Sequence, residues 1–120
     1  MQPRRFAVFL AAFLLFAGML FSQSSTSTVS GRVVDASGAA IPGADVRVVN
    51  QTDKTSRSFA TTANGEFIFT NVEPGTYTVS ASMKGFKQYQ KTDIPITANQ
   101  AFNAGDLRLD VGATTETVEV

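Results

Sequence analysis

An all-β sandwich is the fold class that this sequence predicts, and three observations predict it. Between residues 29 and 79 apolar and polar residues alternate in short runs, the pattern of strands buried on one face. Turn pairs interrupt those runs at close intervals: Ser37-Gly38, Pro42-Gly43, Asn64-Gly65, Pro74-Gly75 and Lys84-Gly85. No helical period of useful length follows residue 24. Seven strands, with turns about every ten residues, give a two-sheet sandwich as first choice and a small barrel as second.

The first 24 residues are set apart from that fold. Arg4 and Arg5 precede residues 6–21, a stretch of 16 without a charged or polar side chain, and Ser22-Gln23-Ser24-Ser25 follows. A charged start, an apolar middle and a small-residue exit describe a secretory signal peptide with a helical core, cleaved after Ser24. The apolar run is shorter than the roughly 20 residues of a spanning helix. The alternative is an uncleaved signal anchor. Removal of the leader leaves about 96 residues, one domain, with eight basic and ten acidic side chains. The basic residues are scattered, so no footprint for nucleic acid appears.

Each strand follows from its own residues. Residues 28–35 place Val29, Gly31 and Val33 on one face. The loop 36–43 holds one large apolar residue, Ile41, expected to plug the end of the core. Residues 44–50 alternate through Ala44, Val46 and Val48, and a weaker strand over 55–62 carries Phe59. Asn64-Gly65 predicts a two-residue type I′ hairpin into 66–70, where Phe67 and Phe69 share a face. Pro74-Gly75 fits the centre of a type II turn. Residues 76–83 then alternate through Tyr77, Val79, Ala81 and Met83.

Residues 86–96 read as one interrupted strand, with Pro95 confining its second part to an edge or end. The last core strand, 102–111, alternates through Leu107, Leu109 and Val111. Phe102 falls out of that register, which predicts a bulge near Gly105. Residues 114–120 form one more short alternating segment.

Candidate chemistry is sparse. The chain has no His and no Cys, which removes Ser-His triads, thiol nucleophiles and the common zinc sets. No phosphate-binding or dinucleotide glycine motif occurs. Asp35, Asp45 and Asp53 lack EF-hand spacing, although a weak calcium site of loop carboxylates stays open. Paired carboxylates would need a cleft, and so short and regular a chain has little sequence to build one. No catalytic residue, metal site or cofactor is expected. Phe86 and Tyr89 follow a turn and are the candidate exposed aromatics for stacking on a sugar ring.

Gly31, Val33, Asp35, Ile41-Pro42-Gly43-Ala44, Val46, Thr61, Gly65, Phe67, Phe69, Pro74, Gly75, Tyr77, Val79, Gly85 and Phe86 occur in one order. In that order they resemble the carboxypeptidase regulatory-like domain. The resemblance covers about residues 28–111 and implies a transthyretin-like, carbohydrate-binding-like Greek-key sandwich without catalytic activity. Such modules flank metallocarboxypeptidases, surface proteins and TonB-dependent outer-membrane receptors.

The end of the chain is similar to the junction between such a module and a receptor plug. Residues 115–120, namely Thr115, Glu116, Thr117, Val118, Glu119 and Val120, look like a TonB box, a short extended segment that adds a strand to a partner sheet. The other reading is a last edge strand of the sandwich. The domain plan is therefore a signal peptide over 1–24, the sandwich over 25–112 and a tail over 113–120. The functional expectation is an exported, non-catalytic interaction module of the periplasm, the outer membrane or the secreted fraction, resembling the N-terminal extension of a TonB-dependent receptor. Its partner would be a TonB-like protein or a receptor barrel. A carbohydrate-binding module is the alternative, and an accessory domain of a metallocarboxypeptidase a more distant one.

Overall fold

The computed structural model describes residues 25–113 and 117–119. The expected signal peptide lies outside the described residues. In chain order the strands are β1 (Ser27–Val34), β2 (Asp45–Asn50), β3 (Ser56–Ala60), β4 (Glu66–Val72), β5 (Gly75–Ser82), β6 (Gln88–Ile96), β7 (Ala101–Arg108) and β8 (Thr117–Glu119). They build a three-stranded sheet, β4-β1-β7, and a five-stranded sheet, β3-β2-β5-β6-β8. The all-β sandwich is thus the fold, with β8 added to the seven expected strands. After β2 and β3 pair in the larger sheet, β4 returns to lie beside β1, a Greek-key step.

Period-2 alternation places the core between the sheets. Val29 and Val33 of β1, Phe67, Phe69 and Val72 of β4, and Leu107 and Leu109 supply one wall. Val46, Val48, Tyr77, Val79, Ala81, Ile94 and Ile96 supply the other. Ile41, 6% exposed, closes one end as expected. The strand registers align Phe59, Val46, Ala81, Tyr89 and Val118 in one row across all five strands of the larger sheet. Val46 and Ala81 at its centre are fully buried, whereas Phe59, Tyr89 and Val118 toward the edges are half-buried.

Two glycines let the small sheet pack. Built on Gly31, a Cβ would lie 2.6 Å from Cζ of Phe67 and 2.8 Å from the carbonyl oxygen of Gly105. The Phe67 ring therefore occupies the space that any other residue would fill. Gly105 has φ +71°, and the β1–β7 register shifts between Ser30 and Arg32, so the expected bulge is present. Phe67 and Phe69 lie 6.1 Å apart between centroids, and Phe59 meets Phe69 edge-on at 6.1 Å. The Arg57 guanidinium stands 5.6 Å over the Phe69 ring and donates to the Thr70 carbonyl at 2.6 Å, clasping β3 to β4.

Two turns differ from their sequence reading. Asn64-Gly65 is not a two-residue type I′ hairpin, because β3 and β4 belong to different sheets. Only Gly65 takes a positive φ, +73°, where type I′ needs two such residues. The Gly65 N–H bonds to Thr62 O at 2.9 Å, and the Thr62 N–H to Glu66 O at 3.0 Å, which closes a crossover loop. Pro74-Gly75 is not a type II turn either: the positive φ falls on Asn71, at 54°, and Gly75 opens β5. A Cβ on Gly75 would come 3.0 Å from the Asn50 side-chain Nδ2, a tight approach. The Tyr77 hydroxyl donates to the Glu73 carbonyl at 2.6 Å across this loop, like a tyrosine corner. Val111 also departs from its expected register. It is 77% exposed because pairing with β1 ends where the Leu109 N–H meets Val34 O at 2.8 Å.

Buried polar groups hold the loops. The Thr61 hydroxyl donates to Ile41 O at 2.7 Å and accepts from the Ala44 N–H at 2.8 Å. The Asn50 side chain accepts from the Thr52 and Asp53 N–H groups at 2.9 and 3.3 Å. The Ser27 hydroxyl accepts from the Gln100 N–H at 2.9 Å and donates to Thr97 O.

Urea unfolding of two variants tests the packing. Phe67→Ala should cost about 3–5 kcal/mol by emptying the inter-sheet space. Gly31→Ala adds one carbon and should still cost about 1–3 kcal/mol by overpacking against Phe67 and Gly105. A neutral Gly31→Ala would mean that the ring does not rest there.

Candidate functional site

Of the sequence-predicted residues, Phe86, Tyr89 and Thr117–Glu119 come together at one edge, that of β6. After Leu109 the chain leaves the small sheet. The Lys87 N–H bonds to Asp110 O at 2.7 Å, Phe86 bridges Val111, and the Gly112 N–H bonds to Gly85 O at 3.1 Å. Thr117, Val118 and Glu119 pair in parallel with Gln88, Tyr89 and Gln90. Thr117 is exposed and Val118 half-buried. Thr115, Glu116 and Val120 lie outside the described residues.

Phe86 and Tyr89 are half-buried and pack against the core. Tyr89 belongs to the inward row, in register with Ala81. Burial pushes its phenol above the ordinary tyrosine value. The cavity beside it, lined by Val79, Lys91, Ile94 and Phe102 among others, is about 20 Å³. That holds one water, not a sugar ring.

The remainder of β6 guards its own edge. Lys91, Thr92 and Asp93 are exposed, and Asp93 takes φ +59°. Gln51 clamps that residue, donating to its carboxylate at 3.0 Å and accepting from its N–H at 2.8 Å. Pro95, which has no N–H, follows. A charge, a left-handed kink and a proline each discourage further strand pairing.

The acidic residues serve local structure. The Asp35 carboxylate accepts from Ser37 N–H and Oγ at 2.9 and 2.6 Å and from Ala39 N–H at 3.0 Å. Those bonds, the Ser37 hydroxyl foremost, hold its pKa below the ordinary value. Asp53 accepts from Thr55 N–H and Oγ1 at 3.0 and 2.7 Å and is lowered likewise. Asp45 pairs with Arg47 at 3.3 Å. Each of these three carboxylates thus has its own local partner. Among the described residues no group of three or more potential ligands comes together.

Sequence reasoning did not single out the outer face of the small sheet. It holds an open basin of about 460 Å³, lined by Ser30, Arg32, Glu66, Ile68, Asn103 and Asp106 among others. In register, Arg32 stands between Glu66 on β4 and Asp106 on β7, and its Nε lies 3.8 Å from the Asp106 carboxylate. An arginine flanked by two carboxylates across neighbouring strands is a stabilising surface row. Charge alternation on adjacent strands could have suggested it only once the strand pairing was known.

The family model of the carboxypeptidase regulatory-like domain matches residues 28–110. The chain belongs to that family. The match spans β1 to β7, so the domain is the sandwich itself and β8 lies beyond it. A curated relative, the TonB-dependent transporter Oar of Myxococcus xanthus, is 32% identical over 120 residues, 98% of this chain. The chain spans only 11% of that transporter's length. Among solved structures, a catechol 1,2-dioxygenase from Pseudomonas arvilla C-1 superposes with a TM-score of 0.53 at 12% identity, over 78% of this chain and 55% of that one. A protein described as carbohydrate-binding, from Bacteroides uniformis, gives 0.51 at 19% identity, over 73% and 41%. At such identities the likeness is one of fold alone. A dioxygenase and a carbohydrate-binding protein share the framework, so the framework does not select a function.

The Asp35 turn generates a pH prediction. A carboxyl with a lowered folded pKa contributes stability above its unfolded value, roughly 3.9, and loses it as pH falls through the folded pKa. NMR titration should place Asp35 below roughly 3.9, with the Ser37 and Ala39 amides shifting in step. An Asp35 titration at or above that value would contradict the bonding described.

Proposed function

We propose that the chain is an exported, non-catalytic interaction module of the cell envelope, the N-terminal extension of a TonB-dependent receptor. One observation carries this reading: 98% of the chain aligns with 11% of a TonB-dependent transporter. The module is thus matched by a small part of a long transporter. Residues 1–24 act as the cleaved signal peptide, 25–112 as the sandwich, and 113–120 as the segment that leads toward the receptor and docks on a TonB-like partner. The chemistry of the tail supports that role. Thr117 and Val118 are β-branched, extended and at a sheet edge, which suits strand addition to a partner sheet. Carbohydrate binding has less support, because Tyr89 lies in the inward row and Phe86 packs on the core.

Two measurements test this. Mass spectrometry of exported material should find a mature start near Ser25; intact Met1 in the membrane would favour an anchor. The purified C-terminal domain of a TonB protein should bind the mature chain, and Val118→Pro should weaken binding at least about tenfold, since proline removes a donor from the added strand. Equal binding by the variant would overturn the docking role of the tail.

A further inference from the structure

We propose that the cleft between the β2–β3 loop and the end of β4 binds a small basic zwitterion, an α-amino acid with a cationic side chain. This site is independent of the tail and of any TonB-like partner.

The cleft has a volume of about 290 Å³, at the small end of ligand pockets. Val48, Val72 and Tyr77, all buried, give it an apolar lining. Asn50 lines it too and is only 9% exposed. The Thr52 and Asp53 N–H groups bond the Asn50 side-chain oxygen at 2.9 and 3.3 Å, which fixes the amide's orientation. Nδ2 is thereby left on the opposite side, close over Gly75. Among the described residues no protein group accepts from that nitrogen. A buried amide donor needs an acceptor, and a ligand oxygen in the cleft would supply it.

Charge decides the ligand class. Asp53, Arg57 and Glu73 line the same cleft and are exposed. Among the described residues no ion pair joins them to one another. Other bonds hold each in place. Asp53 accepts from the Thr55 N–H and hydroxyl. Arg57 donates to Thr70 O and stacks on the Phe69 ring. The Glu73 carbonyl accepts from the Tyr77 hydroxyl. A ligand therefore meets charges that are already positioned, which lowers the cost of binding. Two carboxylates and one guanidinium call for the inverse set, two cationic groups and one carboxylate. A basic amino acid carries that set. Its carboxylate suits the Arg57 fork and the Asn50 Nδ2, its two cationic groups suit Asp53 and Glu73, and its aliphatic stem suits Val48 and Val72. A neutral sugar would leave all three charges unmatched.

NMR titration of the mature chain with three compounds tests the site, with the Asn50 side-chain amide as reporter. L-Lysine carries all three charges. L-Norleucine lacks the side-chain ammonium, and pentane-1,5-diamine lacks the carboxylate. L-Lysine should shift the Asn50 amide and bind at least about threefold more tightly than either, the scale of one exposed ion pair. Equal affinities for the three would overturn the charge matching. Glu73→Gln, which changes one exposed side chain, should abolish the advantage of L-lysine over L-norleucine. Glu66→Gln, on the outer face of the small sheet, should leave it intact. An unchanged advantage in Glu73→Gln would remove Glu73 from the site and the three-charge reading with it. Tighter binding of D-glucose than of L-lysine would overturn the zwitterion in favour of a sugar. No shift at Asn50 with any of these compounds at about 50 mM, far above a Kd of roughly 1 mM, would overturn the site itself.

Discussion

The contact between the Phe67 ring and Gly31 sets the spacing on which the rest of the sandwich depends. β1 is the central strand of the small sheet, bonded on both sides, and cannot move away from an intruding side chain. It accommodates the ring by having no Cβ at the point of contact. On its other side the Gly105 carbonyl approaches the same position, so the bulge in β7 and the glycine in β1 form one local solution. Phe69 then packs beside Phe67, Phe59 beside Phe69, and Arg57 covers the last ring. A chain of aromatic contacts links the sheets without a disulfide, which a domain of this size can sustain when its core is this well filled.

The sheet edges are treated differently from one another. On the β3 and β4 side, Arg57 reaches across to the Thr70 carbonyl and ties the two sheets together. On the β6 side, one half of the edge is disfavoured for pairing by its own backbone, and the other half is occupied by β8. A sandwich has to guard every open edge against unwanted strand addition.

Several charged groups bond within their own turns or across neighbouring strands. Asp35 and Asp53 organise their own turns, Asp45 neutralises Arg47, and Arg32 stands between Glu66 and Asp106 on the open face.

Alternation and glycine chemistry made most of the fold legible in the sequence. The inward faces of β1, β2, β4 and β5, the Ile41 plug and the Gly105 bulge are local consequences of period-2 burial, of one apolar residue in a polar loop and of a register break. The residues 115–120 stood out for the same reason, as a β-branched terminal run. What the sequence left undecided was partnership. Asn64-Gly65 and Pro74-Gly75 carry hairpin signals, yet both lie where the chain crosses between sheets, because the core needed β4 beside β1. Val111 has the alternation of a core strand but no wall to face. The docking of Thr117–Glu119 on β6 depends on an edge nearly thirty residues earlier in the chain and on a row that runs from Phe59 to Val118. Local pattern determines which face of a strand is buried. Which strand lies beside it is decided by how the whole chain closes around its core, since backbone hydrogen bonds are the same for every partner.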